Sequence, residues 1–274
     1  MRSSAFADGS GHYTEMVGHP LAGEDAKLAS YRPPDPNEPS QYDGVRELID
    51  RWGRTHAIVG GVLGSAFEGC WYLRGMDQFL TDMLLNKDYA HALIDLVADW
   101  NLTAGVKLAE LGCDLILAGD DVGVQDRMLM SPELFREFVK PRYARQFGAF
   151  KRANPRLKVA VHICGFIEPI LDDLVEVGVD VLNPVQPLAM DPARLKKRYG
   201  RRLSFWGAVD DQMVLPLGTP EQVEGEVRLR LRQLAPGGGY ILCSSHNVQP
   251  GTPMANIRAF YRAAQKHRGY PIVC

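Results

Sequence analysis

Alternation constrains this chain more than any other feature of its sequence. Short apolar runs of strand length recur along it, separated by amphipathic stretches. The runs are AIVGGV (57–62), DLILAGD (114–120), KVAVHIC (158–164), DVLNPV (180–185), RLSFWGA (202–208) and YILCSS (240–245). A continuous apolar run is what a strand buried on both faces needs, and such strands belong to parallel sheets covered by helices. Helical spacing is read at Val45, Leu48, Ile49 and Trp52, and over 76–86 and 88–112. Four helix starts carry a capping residue followed by proline: Ser131-Pro132, Asp191-Pro192, Thr219-Pro220 and Thr252-Pro253. Thr219 also has Gln222 three residues on, the pattern of a capping box. The unit repeats about six times with no obvious switch point. The expectation is an α/β chain forming a (β/α)8 TIM-type barrel with a shortened or irregular N-terminal part, and an open doubly wound sheet is the alternative.

The 274 residues suffice for one such domain. Residues 1–41 read as an irregular N-terminal arm, and 42–274 as the barrel domain. Within the arm, YRPPDPNEP (31–39) holds four prolines in nine residues and predicts an extended surface segment. A formal net charge of −2, with no basic stretch interleaved with aromatics, gives no footprint for nucleic acid. No apolar run reaches the roughly 18 residues of a membrane helix, and MRSSAFADGSGHYTE has no apolar signal core, so a cytoplasmic enzyme is expected. Five widely spaced cysteines in a chain of this size do not suggest a disulfide framework. Cys70, Cys113 and Cys274 are expected to carry no chemistry.

In a parallel barrel, chemistry collects at the C-terminal ends of the strands. Unusual polar residues fall there five times: Asp120 and Asp121; His162 and Cys164; Asn183 and Gln186; Asp210, Asp211 and Gln212; and Cys243, His246 and Asn247. Residues i and i+2 of a strand share a face, so His162 and Cys164 are expected to point together into the barrel. Imidazole with thiolate suits zinc, and a third ligand should come from another strand end, either Cys243 or His246. Asp120 and Asp121 are candidates for proton transfer, substrate binding or metal coordination, against the simpler role of capping a turn. Asp210 is a similar candidate, whereas Asp211 is expected to be solvated. Asn183, Gln186 and Asn247 are candidate ligand-binding groups. Trp206 is a further candidate, although packing of the barrel accounts for it more simply. The glycine pairs and triples form no phosphate-binding motif.

Longer stretches resemble the uroporphyrinogen decarboxylase (URO-D) superfamily. They are GDDVGVQ…SPELFREFVKPRY, HICGFIEPILDDLVEVGVDVLNPVQPLAMDPARLKKRYGRRLSFWGAVDDQ, and GGGYILCSSHNVQPGTPMANI, with similarity reaching back through HPLAGEDAKLASYRPPDPNEP. The chain is most similar to the branch of zinc-dependent, corrinoid-linked methyltransferases. That resemblance implies a barrel with His162 and Cys164 as zinc ligands. Where those relatives have a third, cysteine ligand shortly before a Thr-Pro pair, counting back from Thr252-Pro253 reaches His246, with Cys243 as the alternative. It also implies a corrinoid (cobalamin) on a partner protein and a small-molecule methyl donor or acceptor. The decarboxylases' N-terminal arginine segment, similar to MRQAGRY, is not found, and WGAVDDQ stands where they carry a GNLDP-like turn, which would match Asp210. The superfamily's first N-terminal stretch, including its first strand, is expected to be missing. The leading expectation is therefore methyl transfer, with Asp120 or Asp121 handling protons or orienting substrate. A metal-free decarboxylase using Asp210 and a non-catalytic ligand-binding barrel are the alternatives. A homodimer is compatible with an incomplete barrel start.

Overall fold

The computed structural model describes residues 2–5, 12–23 and 27–272; Cys274 lies outside them. Six parallel strands form one sheet in strictly sequential order: β3 (Val59–Leu63), β4 (Leu115–Gly119), β5 (Lys158–His162), β6 (Val181–Val185), β7 (Ser204–Val209) and β8 (Tyr240–Ser244). Ahead of them, β1 (Arg2–Ala5) and β2 (His12–Glu15) pair antiparallel with each other. Helices follow the central strands in turn, as parallel crossovers require. This is the TIM-type α/β architecture, with six consecutive strands where a complete barrel has eight. Among the described residues no pairing joins β3 to β8, so the sheet keeps two free edges.

The strands fall within a few residues of the apolar runs, because burial against helices dictates both. On β3 and in the residue before it, Ile58 and Val62 are buried whereas Val59 and Leu63 are exposed, at 48% and 58%. The buried set packs toward the long helix Lys87–Leu111, and the exposed set faces the inside of the arc. Behind β4 and β5 lies the aromatic core of Phe135, Phe138, Tyr143, Phe147 and Phe150. The helix Phe67–Arg74, which sequence periodicity does not reveal, lies between β3 and the helix Met76–Leu85. The expected caps form at Ser131, Asp191 and Thr219, the last as a full capping box. Thr252 does not cap: the final helix starts one residue later than expected, at Met254, with Pro253 as its N-terminal flank.

The arm is less irregular than its composition suggests. Besides the β1–β2 hairpin, Leu21 is buried and its N–H donates to the Leu73 carbonyl at 2.8 Å. Arg74, paired with Asp82 at 2.8 Å in a buried site, also donates to the carbonyls of Leu21 and Gly23. The proline segment runs over the surface as expected and is held by Trp100, whose indole N–H donates to the Pro34 carbonyl at 2.7 Å.

Candidate metal centre

His162 is the last residue of β5, and Cys164 lies just beyond the strand end. Two close backbone approaches set this corner. A Cβ at Gly119 would lie 1.9 Å from the His162 carbonyl oxygen, so only glycine lets β4 pass there. Gly165, at φ +84°, turns the chain where a side chain would strike Gly123 and Val124. The turn is fastened on both sides. The Cys164 N–H donates to Asp121 Oδ1 at 2.8 Å, and the Gly165 N–H donates to Gln186 Oε1.

The result brings His162 Nε2 to 3.4 Å from Cys164 Sγ. One ligand atom each from His162, Cys164 and His246 falls within 4.8 Å of the others, and the two imidazole centroids are 5.7 Å apart. In a flat sheet, three strand spacings separate β5 from β8, about 14 Å; the sheet therefore curls, and the side chains meet across its concave face. Tetrahedral zinc needs ligand atoms about 3.3–3.7 Å apart. The first pair already meets that distance, and His246 needs an adjustment of about 1 Å. Cys243 lines the same cleft, with its sulfur 3.9 Å from Ser244 Oγ, but it is not part of the close group.

Neighbouring groups fix the tautomer of His162. Asn183 Nδ2 donates to the Trp206 carbonyl at 3.2 Å, which turns Oδ1 toward His162 Nδ1 at 2.7 Å. An amide oxygen only accepts, so Nδ1 carries the hydrogen and Nε2 presents its lone pair to the cleft. This is the arrangement by which a second group orients a metal-ligating histidine. The donor set therefore fits a soft divalent cation, and the electrostatics agree. Burial first, then the Asp121 carboxylate, and then Asp211 and Glu68, push the Cys164 thiol well up from its ordinary range. A cation between the ligands reverses that balance and stabilises the thiolate.

The cleft has a volume of about 580 Å³, within the usual range for small-molecule sites. Leu63, Glu68, Tyr72, Leu117, Asp121, Trp206 and the loop from Cys243 to Val248 line it, together with His162 and Asn183. Among the described residues, none that line it is lysine or arginine.

The adjacent aspartates separate cleanly. Asp121 lines the cleft. Asp120 is fully buried and accepts from the N–H groups of Ala66 and Glu68 and from the Tyr143 hydroxyl, so it caps that turn and does not line the cleft. Burial raises it from 3.8 to about 6. Asp210 likewise accepts from the N–H groups of Gln212, Met213 and Val214, closing a turn away from the cleft. Its neighbour Asp211, expected in solvent, is buried as well and lies near His246. Burial raises it, and the proximity of His246 opposes that rise. Asn183 has both ends engaged by the protein, and Gln186 pins the loop after Cys164 without lining the cleft. Trp206 forms part of the wall and Asn247 the exposed rim.

Sequence reasoning missed Glu68 as well as Asp211. Glu68 lies in the first turn after β3, at the same end of the sheet as the other polar residues, and that shared position is the signal that marks it.

The sequence profile of the uroporphyrinogen decarboxylase (URO-D) family matches residues 7–267. The chain belongs to the URO-D family. Among its relatives is the methylcobamide:CoM methyltransferase MtaA of Methanosarcina barkeri, 25% identical over 229 residues, which are 84% of this chain and 64% of that protein. The uroporphyrinogen decarboxylase of Synechococcus sp. (strain CC9605) is 24% identical over 264 residues, 91% of this chain and 70% of that enzyme. A solved methyltransferase from Methanosarcina mazei superposes with a TM-score of 0.74 at 22% identity, covering 92% of this chain and 72% of that one. The chain thus spans less than two thirds of the length of the methyltransferase from Methanosarcina barkeri, and its URO-D relatives include both methyltransferases and decarboxylases. Among the described residues no helix is long and apolar enough to cross a membrane.

Proposed function

We propose that this URO-D family chain is a zinc-dependent methyltransferase. It moves a methyl group between a small molecule and a corrinoid (cobalamin) carried by a partner protein, and His162, Cys164 and His246 hold the metal. The observation that carries the reading is the convergence of those three ligand atoms within 4.8 Å, with His162 Nε2 freed for coordination by the Asn183 hydrogen bond. Zinc bound there supplies Lewis acidity toward the heteroatom that gives or takes the methyl group. The rest is the work of the chain. Asn183 orients His162, Asp121 holds the backbone of Cys164, and Trp206 and Tyr72 provide apolar walls against which a small molecule can rest.

The decarboxylase reading is less well supported. A porphyrinogen carries many carboxylates, and among the described residues this cleft presents Glu68 and Asp121 with no lysine or arginine in its lining. Asp210, the residue that reading relies on, is committed to its turn. The decisive experiment is plasma emission spectrometry on wild type and Cys164→Ser, purified without a metal-binding tag, alongside methyl transfer from methylcobalamin to 2-mercaptoethanol. About one zinc per wild-type chain, lost in the variant together with activity, is the expected result. A wild-type zinc content near zero after growth in zinc-replete medium refutes the reading.

A further inference from the structure

Among the described residues, one carboxyl group faces the cleft without belonging to the metal triad or to a structural cap. Glu68 occupies the first turn of the helix Phe67–Arg74 and lines the cleft together with Asp121, His162 and His246. Its position is fixed twice. Its backbone N–H donates to Asp120 Oδ1 at 2.8 Å, and its side chain accepts from the Tyr72 hydroxyl at 3.2 Å, one helical turn on. Methyl transfer to or from a heteroatom leaves a proton to be placed, and the triad has no group to spare for it.

We propose that Glu68 exchanges this proton with the substrate heteroatom. The proposal rests on the methyl-transfer reading above. When the small molecule is an acceptor, R–XH, its proton passes to the Glu68 carboxylate. The electron pair of the X–H bond stays on X and forms the bond to the methyl carbon, while the pair of the carbon–cobalt bond leaves with the corrinoid. When it is a donor, R–X–CH3, the cobalt pair takes the methyl carbon. X keeps the pair of the broken bond and takes the proton from the Glu68 carboxylic acid.

The surroundings suit a group that must work in both directions. Burial, and then the charges of Asp121 and Asp120, raise Glu68 from 4.5 to about 7, against hydrogen bonds from Tyr72 and the Asp121 backbone that favour the carboxylate. Glu68 in turn bears on Tyr143 and Cys164. Tyr72 is itself pushed up to about 12, first by burial and then by Glu68, so it remains a donor at neutral pH. A general acid–base group works best with its pKa near the operating pH.

The test has two arms on the full chain as purified, with zinc measured in the same samples. Carbon-13 NMR of carboxyl-labelled glutamate, without substrate, follows the resonance that disappears in Glu68→Gln. It should titrate above the ordinary carboxylate range and move higher in Tyr72→Phe. In methyl transfer from methylcobalamin to 2-mercaptoethanol, Glu68→Gln should lower kcat about 100-fold or more and flatten the pH profile, with zinc content unchanged. Glu68→Asp should recover part of the rate. An ordinary carboxylate titration, an unaltered rate and pH profile, or loss of zinc in Glu68→Gln each overturns the proposal. Absence of zinc or of transfer in the wild type instead removes the methyl-transfer reading, and the two failures are distinguishable.

Discussion

Replacing Asn183 with alanine probes the centre through a residue that is not itself a ligand. The truncation removes the acceptor 2.7 Å from His162 Nδ1 and the donor 3.2 Å from the Trp206 carbonyl. Without the acceptor, the imidazole is free to rotate and to adopt the tautomer in which Nε2 carries the hydrogen, and that tautomer cannot bind metal through Nε2. Losing such a partner costs about 10- to 100-fold in metal affinity, or about 1.4–2.7 kcal/mol. Separately, Asn183 is only 8% exposed, and leaving the Trp206 carbonyl without its donor in so buried a place costs about 1–3 kcal/mol of fold stability. Competition for zinc against a chromophoric chelator measures the first effect, and denaturant unfolding measures the second. Asn183→Asp separates them, because it keeps an acceptor for Nδ1–H but loses the donor to Trp206. It should retain most of the zinc affinity while losing stability. An alanine variant that binds zinc like the wild type, or an aspartate variant that binds it more weakly than alanine does, refutes the reasoning.

Other expectations follow from the same geometry. Zinc affinity should fall on acidification, since protons compete with the metal for its thiolate and imidazole ligands; equilibrium dialysis over a pH series measures it. Tyr143→Phe should destabilise the fold by about 1–3 kcal/mol in urea unfolding, because it strips a donor from the buried Asp120 carboxylate. Because burial raises Asp120 from 3.8 to about 6, the folded protein holds a proton through that window which the unfolded chain has released. The Asp120 contribution to stability therefore declines as pH rises from 3.8 to 6, and the decline should steepen in Tyr143→Phe. Gly119→Ala should sharply lower soluble yield and unfolding midpoint, since its methyl group meets the His162 carbonyl oxygen at 1.9 Å.

The strands were legible because each is an apolar run bounded by polar turns, and the caps at Ser131, Asp191 and Thr219 because proline follows each of them. The helix Phe67–Arg74 was not, because Phe67, Cys70 and Arg74 are all buried and its hydrophobic and polar residues do not sort into two faces. The candidate site was legible as a set of strand ends. The choice between neighbours was hidden. Asp120 and Asp121, or Asp210 and Asp211, differ only in which way the chain turns after the last strand residue, and that direction is set by contacts from distant elements. Asp120 is drawn inward by the N–H groups of Ala66 and Glu68, more than fifty residues earlier in the chain. The His162–Cys164 pairing was expected from strand alternation, yet Cys164 lies beyond β5, where Asp121 and the Gln186 contact at Gly165 place it.

The sheet's open edge gives the centre a mechanical side. His162 and Cys164 stand at the middle of the six strands, whereas His246 follows β8, an edge strand with one neighbour among the described residues. An ion shared among the three would act as a clasp, tying the free margin of the arc to its centre across the concave face. Metal loading would then be felt as stiffness along the Cys243–Val248 loop, and slow amide exchange there on loading, with little change in β5, would be its signature.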